Sequence, residues 1–431
     1  MSKKLIIFSV DALVYEDLET LKDKPYFKKI MNEGSRINRM RSIYPTVTYP
    51  VHATLITGTY PEKHGVINNE EFHVGQVASN WNWYSKSIKV PDIFDLAKRL
   101  GKTTAAVYWP ITGNHENIDY LINEYCSLDK HEDIHKLFVE SGTSEEIYES
   151  IVRKHGEGLS VGTHPDSDNF CIDCACDIIR QYKPDVIAIH PANIDGMRHK
   201  TGAFSSAVTQ ELNNVEKHLE QIITATKNAG VFEETNFIIL SDHGQLNITR
   251  VMNPNVLLKE AGFIKTDDKG EITDWKAYSH SAAMSAQIYL SDPYDKELED
   301  EVYEFLCRLK EEQVYGISQV FKKDEIRERE HLNGEFSFVI ETDGFTTFGN
   351  NWNRPLVSPL DVSDYKFGHA THGYLPEKGP QPVFMAYGPD IKKGIVLEQG
   401  HVINVAPTIA RLLGGTLEFA DGESMNQILE I

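Results

Sequence analysis

Short runs of apolar and β-branched residues recur along this chain, and helical patterns separate them. The runs that predict strands are KLIIFSV (4–10), KTTAAVYW (102–109), DVIAIH (185–190) and NFIILS (236–241). Strands of a parallel sheet read as near-continuous hydrophobic runs, because helices cover both of its faces. Alternation of such runs with helical segments is typical of this architecture. We therefore predict an α/β protein with a mostly parallel central sheet and helices on both faces.

The pattern changes after residue 244. Between residues 245 and 365 helical and strand patterns mix without regular alternation, and the sheet pattern resumes with PVFMAYG before a closing helix in VINVAPTIARLLGG. With 431 residues, of which 41% are apolar, the chain can bury a large core. We predict a core of residues 1–244 and 366–431, with residues 245–365 as an inserted α+β cap subdomain.

The charge of the chain excludes one class of partner. A formal net charge of −21 argues against a groove for nucleic acid polymers, which would need a basic stripe. A small phosphorylated substrate is still possible, because bound metal ions would invert the local potential. The apolar run at the N-terminus is too short for a signal peptide or a membrane span, and no other segment approaches 18 apolar residues. We therefore expect no membrane association.

The five cysteines bear on the compartment. Three of them lie in the string CIDCAC, which opens an amphipathic helical pattern and lacks a second Cys/His pair at finger spacing. We interpret them as small buried residues and not as a metal knuckle. An odd number of cysteines without an export signal predicts the reducing cytoplasm.

Polar residues stand where two of the predicted strands end. Asp11 directly follows LIIFSV, and Asp242 and His243 directly follow NFIILS. Open α/β sheets bind their ligands at the carboxyl ends of strands. Either position alone could be a strand-end polar residue or a helix cap. Two strands that end in the same way favour a shared site.

Two further strings add candidate metal ligands. In ANIDGMRH, Asp195 and His199 are four residues apart, which places them on one face of a helix, although this spacing alone is common. His372 lies in the glycine-flanked loop GHATHG, where His369 is a weaker candidate for a supporting or surface role. Mixed Asp/His ligation without a thiolate suits Zn²⁺ best and Mn²⁺ second.

Thr48 is the candidate nucleophile. The string PTVTYPVHATLITG reads as an extended segment that becomes a helix near Pro50. The amino terminus of a helix stabilises an alkoxide and an incoming phosphoryl group. A threonine hydroxyl is a weak nucleophile at neutral pH, and coordination to Zn²⁺ would activate it. The alternatives are that Thr48 only caps its helix, or that Thr46 is the nucleophile.

Several strings occur together in a familiar order. They are TYPVH (48–52), TGTYPEKHG (57–65), the asparagine pair 68–69, the WP pair 109–110, SDHG (241–244) and HG (372–373). Because it carries these strings in this order, the chain resembles the nucleotide pyrophosphatase/phosphodiesterase branch of the alkaline phosphatase superfamily. The resemblance implies an alkaline-phosphatase-like three-layer sandwich. It also implies a hydrolase of nucleotide phosphodiester or pyrophosphate bonds that uses two Zn²⁺ ions and a threonyl-phosphoryl intermediate.

The resemblance also assigns roles to individual residues. One zinc would be held by Asp11, Thr48, Asp242 and His243, and the other by Asp195, His199 and His372. Asn69 would donate a hydrogen bond to a phosphoryl oxygen, although it could also be a plain turn residue. Tyr49 and Trp109 would contact the substrate, with Tyr120 or Tyr125 as a second aromatic wall. Val51 and the pair 193–194 depart from the family pattern, which affects the choice of substrate and leaves the ligands intact.

Other functions stay open at this point. A phosphonoacetate hydrolase would use similar apparatus on a C–P bond, and a phosphomonoesterase would need a further cation for the extra phosphate charge. A metal-binding or nucleotide-binding protein without activity is the alternative outside enzymes. The sulfatase branch is disfavoured, because its C-x-P-S-R string is absent. The sequence specifies neither the leaving group nor the oligomeric state.

Overall fold

A computed structural model of the chain describes residues 3–124, 133–157, 159 and 163–431, with an eight-stranded sheet at its centre. In chain order the strands are β1 Lys4–Ser9, β2 Ser35–Arg41, β3 Thr104–Val107, β4 Tyr120–Ile122, β5 Val186–Ile189, β6 Thr235–Leu240, β7 Leu246–Asn247, β8 Arg250–Met252, β9 Ile264–Thr266, β10 Ile272–Trp275, β11 Ala277–Ala282, β12 Ser285–Leu290, β13 Ile317–Lys322, β14 Phe338–Thr342, β15 Thr346–Phe348, β16 Val357–Ser358, β17 Ala370–Thr371, β18 Phe384–Tyr387 and β19 Val396–His401. The α-helices are α1 Leu18–Leu21, α2 Pro25–Glu33, α3 Thr48–Thr57, α4 Pro61–His64, α5 Ile93–Arg99, α6 Ile134–Glu140, α7 Glu145–Ile147, α8 Arg153–His155, α9 Asp166–Gln181, α10 Asn193–Thr201, α11 Ser206–Ala229, α12 Pro254–Glu260, α13 Lys296–Glu311, α14 Lys323–Glu330 and α15 Val405–Leu413.

The central sheet is mostly parallel. Its strand order is β19-β2-β18-β6-β1-β5-β3-β4. β1 lies between β5 and β6 and pairs in parallel with both, so that Ile6 stands opposite Ile187 and Phe237. β18 is antiparallel to its neighbours β2 and β6, whereas the remaining pairs are parallel. The predicted parallel α/β sheet is confirmed.

Helices cover the two faces of this sheet. Successive residues of a strand point to opposite faces. In β1, Ile6 and Phe8 therefore join an apolar cluster with residues of α2, α9 and α11, whereas Leu5 and Ile7 join a second cluster with residues of α3, α5 and α15. The result is the three-layer sandwich that the resemblance implied.

Helix α3 carries the candidate nucleophile into the interior. It begins at Thr48, after the extended residue Val47, and all of its residues are buried. The predicted start near Pro50 was therefore two residues late. Gly58, at φ 69° and ψ 18°, ends the helix in the left-handed conformation that glycine adopts without strain.

A second sheet lies within the predicted insertion. Its strands run in the order β11-β12-β14-β13, and all of its pairs are antiparallel. Helix α13 packs on it through Val302, Leu306 and Leu309, which share an apolar cluster with Ile288 and Phe338. The boundaries at residues 245 and 365 stay a prediction.

The cysteines and the helices bear on two further predictions. Cys171, Cys174 and Cys176 are buried on α9 as predicted, and they are free thiols, as is Cys307. Cys126 lies outside the described residues. In the part of the chain that the structure describes, no helix is both long enough and apolar enough to cross a membrane.

Candidate active site

The candidate site lies at the carboxyl ends of three neighbouring strands. Asp11 follows β1, Asp242 and His243 follow β6, and α10, which carries Asp195 and His199, begins shortly after β5 ends. Parallel strands bring these positions to one edge of the sheet. They open onto a cleft of about 650 Å³ whose lining includes Asp11, Asp195 and His199.

The first candidate metal group consists of Asp11, Asp242 and His243. One ligand atom from each lies within 4.8 Å of the others. Asp242 Oδ1 accepts the Ala12 N–H at 3.1 Å, which leaves Oδ2 facing His243 Nε2 at 3.2 Å. The Asp11 Oδ1 and Asp242 Oδ2 atoms are buried and have no hydrogen-bond donor among the described residues. Two buried carboxylates with free oxygens form a donor set that suits a cation.

The second group consists of Asp195, His199 and His372, which also meet within 4.8 Å. The Nδ1–H of His199 donates to the Ala370 carbonyl at 2.7 Å, and the Nδ1–H of His372 donates to the Thr46 carbonyl at 2.9 Å. Each bond fixes the ring and turns Nε2 towards the other members of the group, which is the arrangement of metal-binding histidines. The Thr46 carbonyl therefore supports His372, and the Thr46 hydroxyl donates to the Tyr374 carbonyl at 2.9 Å.

The two groups adjoin each other. The rings of His243 and His372 stack with their centroids 3.9 Å apart. Burial and the charge of Asp242 raise the pKa of Asp11 well above its usual range, and burial lowers the pKa of His243 to about 4. Burial also opposes ionisation of Asp195, but the neighbouring imidazoles, foremost His199, hold its pKa below the usual range. Imidazoles that are neutral at pH 7 are ready to act as metal ligands.

Thr48 lies beside the first group. Its Oγ1 is 3.2 Å from His243 Nε2, and the residue is the first of α3. The hydroxyl therefore stands where the free N–H groups of a helix amino terminus favour negative charge. His52, one turn later, donates from Nδ1 to the Thr48 carbonyl at 2.8 Å and fixes this turn.

Asn69 faces the same cleft. Its Oδ1 accepts the N–H of Tyr49 at 2.9 Å, which orients the amide group. Its Nδ2 is buried without a hydrogen-bond acceptor among the described residues. A fixed amide with a free N–H₂ can donate to an oxygen of a ligand in the cleft.

The aromatic residues predicted to contact the substrate lie in different surroundings. Tyr49 is buried behind Asn69, and its ring stands edge-on to Trp81, with the centroids 5.1 Å apart. Trp109 is fully buried and packs edge-on against His52, 5.0 Å between centroids, so the prediction that it contacts substrate was wrong. Tyr120 stacks at a tilt on Tyr182 instead of on the cleft.

Tyr125, the other residue proposed as a second aromatic wall, lies outside the described residues. Trp81, Tyr108 and Tyr365 line the cleft, and the ring centroids of Trp81 and Tyr365 lie 5.1 Å apart. Neither was predicted. Tyr365 lies about 300 residues from Trp81 in the chain, so no local pattern could pair them.

Two buried histidines were also missed. The His190 Nε2 lies 3.3 Å from Asp11 Oδ2, and His52 stacks edge-on with His190 at 4.3 Å. Burial lowers the pKa of each histidine to about 3. His190 directly follows the run DVIAI, the same strand-end signal that identified Asp11, and could have been found from it. His369 is exposed, as predicted for a surface residue.

A third group of possible ligands is explained by local structure. Asp92 caps α5 by accepting the N–H groups of Phe94 and Asp95, and His115 pairs with its second carboxylate oxygen at 3.0 Å. Each member therefore has a structural partner. We assign no metal to this group.

Comparison with known proteins places these residues in a family context. The family model described as type I phosphodiesterase / nucleotide pyrophosphatase matches residues 5–375. Ectonucleotide pyrophosphatase/phosphodiesterase family member 3 of Rattus norvegicus is 24% identical over 95% of this chain and 42% of its own length. Family member 1 of Mus musculus is 26% identical over 56% of this chain and 24% of its own length. The chain thus spans less than half the length of these relatives.

Shorter relatives are covered more completely. Family member 5 of Homo sapiens is 23% identical over 98% of this chain and 77% of its own length. Among solved structures, murine ectonucleotide pyrophosphatase/phosphodiesterase 5, an inactive threonine-to-alanine variant in complex with AMP, superposes with a TM-score of 0.69 at 20% identity, and the match covers both chains fully. This likeness shows that the fold is shared.

Proposed function

The chain belongs to the type I phosphodiesterase/nucleotide pyrophosphatase family, and from that premise we propose that it hydrolyses nucleotide phosphodiester or pyrophosphate bonds with two zinc ions and a threonyl-phosphoryl intermediate. One observation carries the proposal. The Thr48 hydroxyl lies at a helix amino terminus beside two adjoining groups of Asp and His side chains. This position suits a nucleophile better than a helix cap, because the hydroxyl faces the candidate metal ligands.

The residues present fit two metal ions. A cation would satisfy Asp11 Oδ1, Asp242 Oδ2 and His199 Nε2, which are buried and lack a hydrogen-bond partner among the residues that the structure describes. We propose that Asp11, Thr48, Asp242 and His243 hold one ion and that Asp195, His199 and His372 hold the other. Oxygen and imidazole ligands without thiolate favour zinc, with manganese as the second choice. Bound there, the ions would supply Lewis-acid stabilisation of the developing negative charge.

The side chains then divide the reaction into two displacements. The Thr48 hydroxyl gives up its proton to solvent as its oxygen bonds to phosphorus, and the bond to the leaving oxygen breaks on the side of Asp195 and His372, so that the leaving group departs with the electron pair of that bond. Water then attacks the phosphorus of the threonyl-bound nucleotide in line, the bond to the Thr48 oxygen breaks, that oxygen takes back a proton, and the nucleotide leaves as a phosphate monoester. The Asn69 amide donates to a non-bridging oxygen in both steps, where charge develops.

A nucleotide is the proposed substrate class. The murine relative was solved with AMP, and the cleft of this chain offers an aromatic edge at Trp81 beside Asn69. Aromatic rings suit the flat face of a nucleobase. A small substrate also agrees with the cleft volume of about 650 Å³. Location in the cytoplasm stays a prediction from the cysteine count.

A substrate panel tests the proposal. The kcat/KM is measured for bis-(p-nitrophenyl) phosphate, p-nitrophenyl phosphate, a nucleotide sugar and phosphonoacetate, and zinc is quantified in the same preparation. We expect the diester and the nucleotide sugar to exceed the monoester. A monoester that reacts at least as fast would contradict the proposal, and fastest turnover of phosphonoacetate would identify a C–P hydrolase instead.

A Thr48→Ala variant separates an enzyme from a binding protein. We expect it to fold and to lose turnover of every substrate in the panel. Unchanged turnover in this variant would remove Thr48 from the reaction.

A further inference from the structure

A histidine–aspartate pair forms part of the cleft wall and has no role in the proposed reaction. The side chains of His164 and Asp168 both line the cleft, and His164 Nδ1 lies 3.0 Å from Asp168 Oδ1. The Asp168 side chain is 4% exposed and that of His164 is 22% exposed. Because Nδ1 donates to the carboxylate, the opposite ring atom, Nε2, is the one available to a ligand.

The backbone of α10 holds this pair in place. Asp168 accepts the N–H of Ala192 at 3.1 Å and that of Asn193 at 2.8 Å, which are free donors at the amino end of the helix. The carboxylate is therefore fixed by two backbone bonds as well as by the imidazole. A histidine oriented by a fixed carboxylate keeps one ring orientation, which is the usual way in which proteins aim an imidazole.

Contact with Gly196 places the ring next to the second candidate metal group. A Cβ atom at position 196 would lie 3.4 Å from His164 Cδ2 and 3.9 Å from Nε2. Gly196 follows Asp195 directly, and Asp195 belongs to the group on whose side the leaving oxygen would depart. The imidazole thus lies beside the second candidate metal group, on the side where we propose that the leaving oxygen departs.

The charges in this part of the cleft favour a cationic ring. Burial lowers the pKa of His164, but the hydrogen bond to Asp168 and the charge of that carboxylate act against burial, and the pKa lies above its ordinary value. Glu124, which also lines the cleft, has its pKa raised to about 8 by burial. Lys200 on α10 adds a second cation to the lining.

We infer that His164, oriented by Asp168, is a specificity residue that donates its Nε2–H to a phosphate on the leaving group. This inference rests on the proposed function and deepens it. Among the substrates of the proposed function, the contact favours those in which the leaving group is itself a phosphate, as in nucleoside diphosphates and other pyrophosphate-linked nucleotides. Diesters with an uncharged alcohol as leaving group would gain nothing from the contact.

Equilibrium binding to the Thr48→Ala protein, with zinc present, isolates this contact from turnover. AMP carries one phosphate, whereas ADP carries a second one where the leaving group would lie. We expect His164→Gln in this background to weaken ADP binding by about ten- to hundredfold, the range for a hydrogen bond to a charged group, and to leave AMP binding unchanged. The same change should lower the kcat/KM of the active enzyme for a nucleotide sugar more than that for bis-(p-nitrophenyl) phosphate.

His155→Gln is the matched control. His155 also pairs with an aspartate of α9, since its Nε2 lies 2.7 Å from Asp177 Oδ2, but it does not line the cleft. Its loss should change neither affinity. Equal weakening of AMP and ADP in His164→Gln, or no weakening of either, would overturn the inference and leave the proposed function standing. If the zinc-loaded Thr48→Ala parent bound neither nucleotide, the proposed nucleotide substrate would fail, and the inference with it.

Discussion

At the scale of single residues, the amide oxygen and the amide nitrogen of Asn69 have separate roles. Its oxygen accepts the Tyr49 N–H, and its nitrogen meets the geometric criteria for a hydrogen bond with no acceptor in the described part of the chain. We expect Asn69→Ala to lower kcat by about 10²–10³, the usual effect of removing one preorganised donor, while zinc content stays the same.

Asn69→Asp sharpens this prediction. The variant keeps an oxygen that can accept the Tyr49 N–H but loses the N–H₂ donor and adds a negative charge. Steady-state kinetics should therefore show a loss at least as large as that of Asn69→Ala. Turnover within about threefold of wild type in either variant would make Asn69 a turn residue, as its alternative interpretation held.

A second residue-scale prediction concerns pH. His64 is fully buried, its Nδ1 accepts the Val66 N–H, and burial lowers its pKa from 6.5 to about 3. Unfolding exposes a histidine of ordinary pKa, which takes up a proton below pH 6.5. The stability that this residue contributes is thus complete above pH 6.5 and is lost as the pH falls towards 3.

Urea unfolding at a series of pH values measures this effect. Between pH 6.5 and 4 we expect the free energy of unfolding of His64→Gln to fall less steeply than that of wild type, by up to about 1.4 kcal/mol per pH unit. Identical slopes would show that the histidine is not held neutral in the folded protein.

Single residues also show what sequence reasoning could reach. Asp11, Asp242 and His243 were predictable because they directly follow apolar runs, and the structure brings them within ligand distance of one another. Trp109 was misplaced, because a string shared with a family says nothing about which way a side chain points. Its ring turned into the core against His52.

At the scale of elements, α3 depends on how it ends. Gly58 is in the left-handed conformation at φ 69°, and a Cβ there would lie 2.8 Å from Pro407 Cδ on α15. Gly230 ends α11 in nearly the same conformation, at φ 73° and ψ 21°, with nothing within 4 Å of a Cβ. The two glycines therefore have nearly the same backbone conformation, but only Gly58 lacks room for a Cβ atom.

Alanine substitution at both positions separates strain from clash. We expect Gly230→Ala to cost about 1–2 kcal/mol of stability, which is the cost of the left-handed conformation alone. Gly58→Ala should cost more, because Pro407 or the helix must also shift. Denaturant unfolding measures both losses of stability. Equal losses would show that Pro407 on α15 makes room for the added Cβ without a cost in stability.

Elements differ in how well the sequence predicts them. The buried strands β1, β5 and β6 read as apolar runs and were predicted. β2, with the sequence SRINRMR, lies inside the same sheet but was missed, since its alternating charged residues resemble a surface segment. Its place is set by pairing with β18 and β19, which come about 350 residues later in the chain.

At the scale of the whole molecule, the two metal groups join distant parts of the chain. The ligand sets combine residues from 11 to 372 around one point, and burial together with Asp242 and Asp195 raises the pKa of Asp11. Without cations, these carboxylates repel one another in a medium that screens poorly. The folded protein should therefore be less stable without metal.

Thermal unfolding with a chelator and with added zinc tests this. A ligand at a thousandfold excess over its dissociation constant stabilises the folded state by about 4 kcal/mol, so zinc should raise the Tm clearly. His372→Ala, which leaves the first group intact, should retain part of this shift. A Tm that is the same with chelator and with zinc would contradict a metal-filled site.

The whole molecule also sets the limit of prediction from sequence. The parallel α/β class of the sheet, and the polar residues that follow its central strands, could be predicted from local patterns. The four-stranded sheet of the predicted insertion contacts the segment that precedes α3. In one such contact the Tyr44 hydroxyl donates a hydrogen bond of 2.8 Å to Glu341 Oε2, and the two residues are nearly 300 positions apart in the chain. No spacing in the sequence specifies such a contact, because it arises only once both sheets have formed.

The stereochemical course at phosphorus shows whether a covalent intermediate forms on Thr48. A nucleoside phosphorothioate diester of known configuration is hydrolysed in isotopically labelled water, and the configuration of the product is determined. Attack by Thr48 followed by attack of water gives two in-line displacements, so the account predicts net retention of configuration. Net inversion would mean that water attacks the substrate directly and would contradict a threonyl-phosphoryl intermediate.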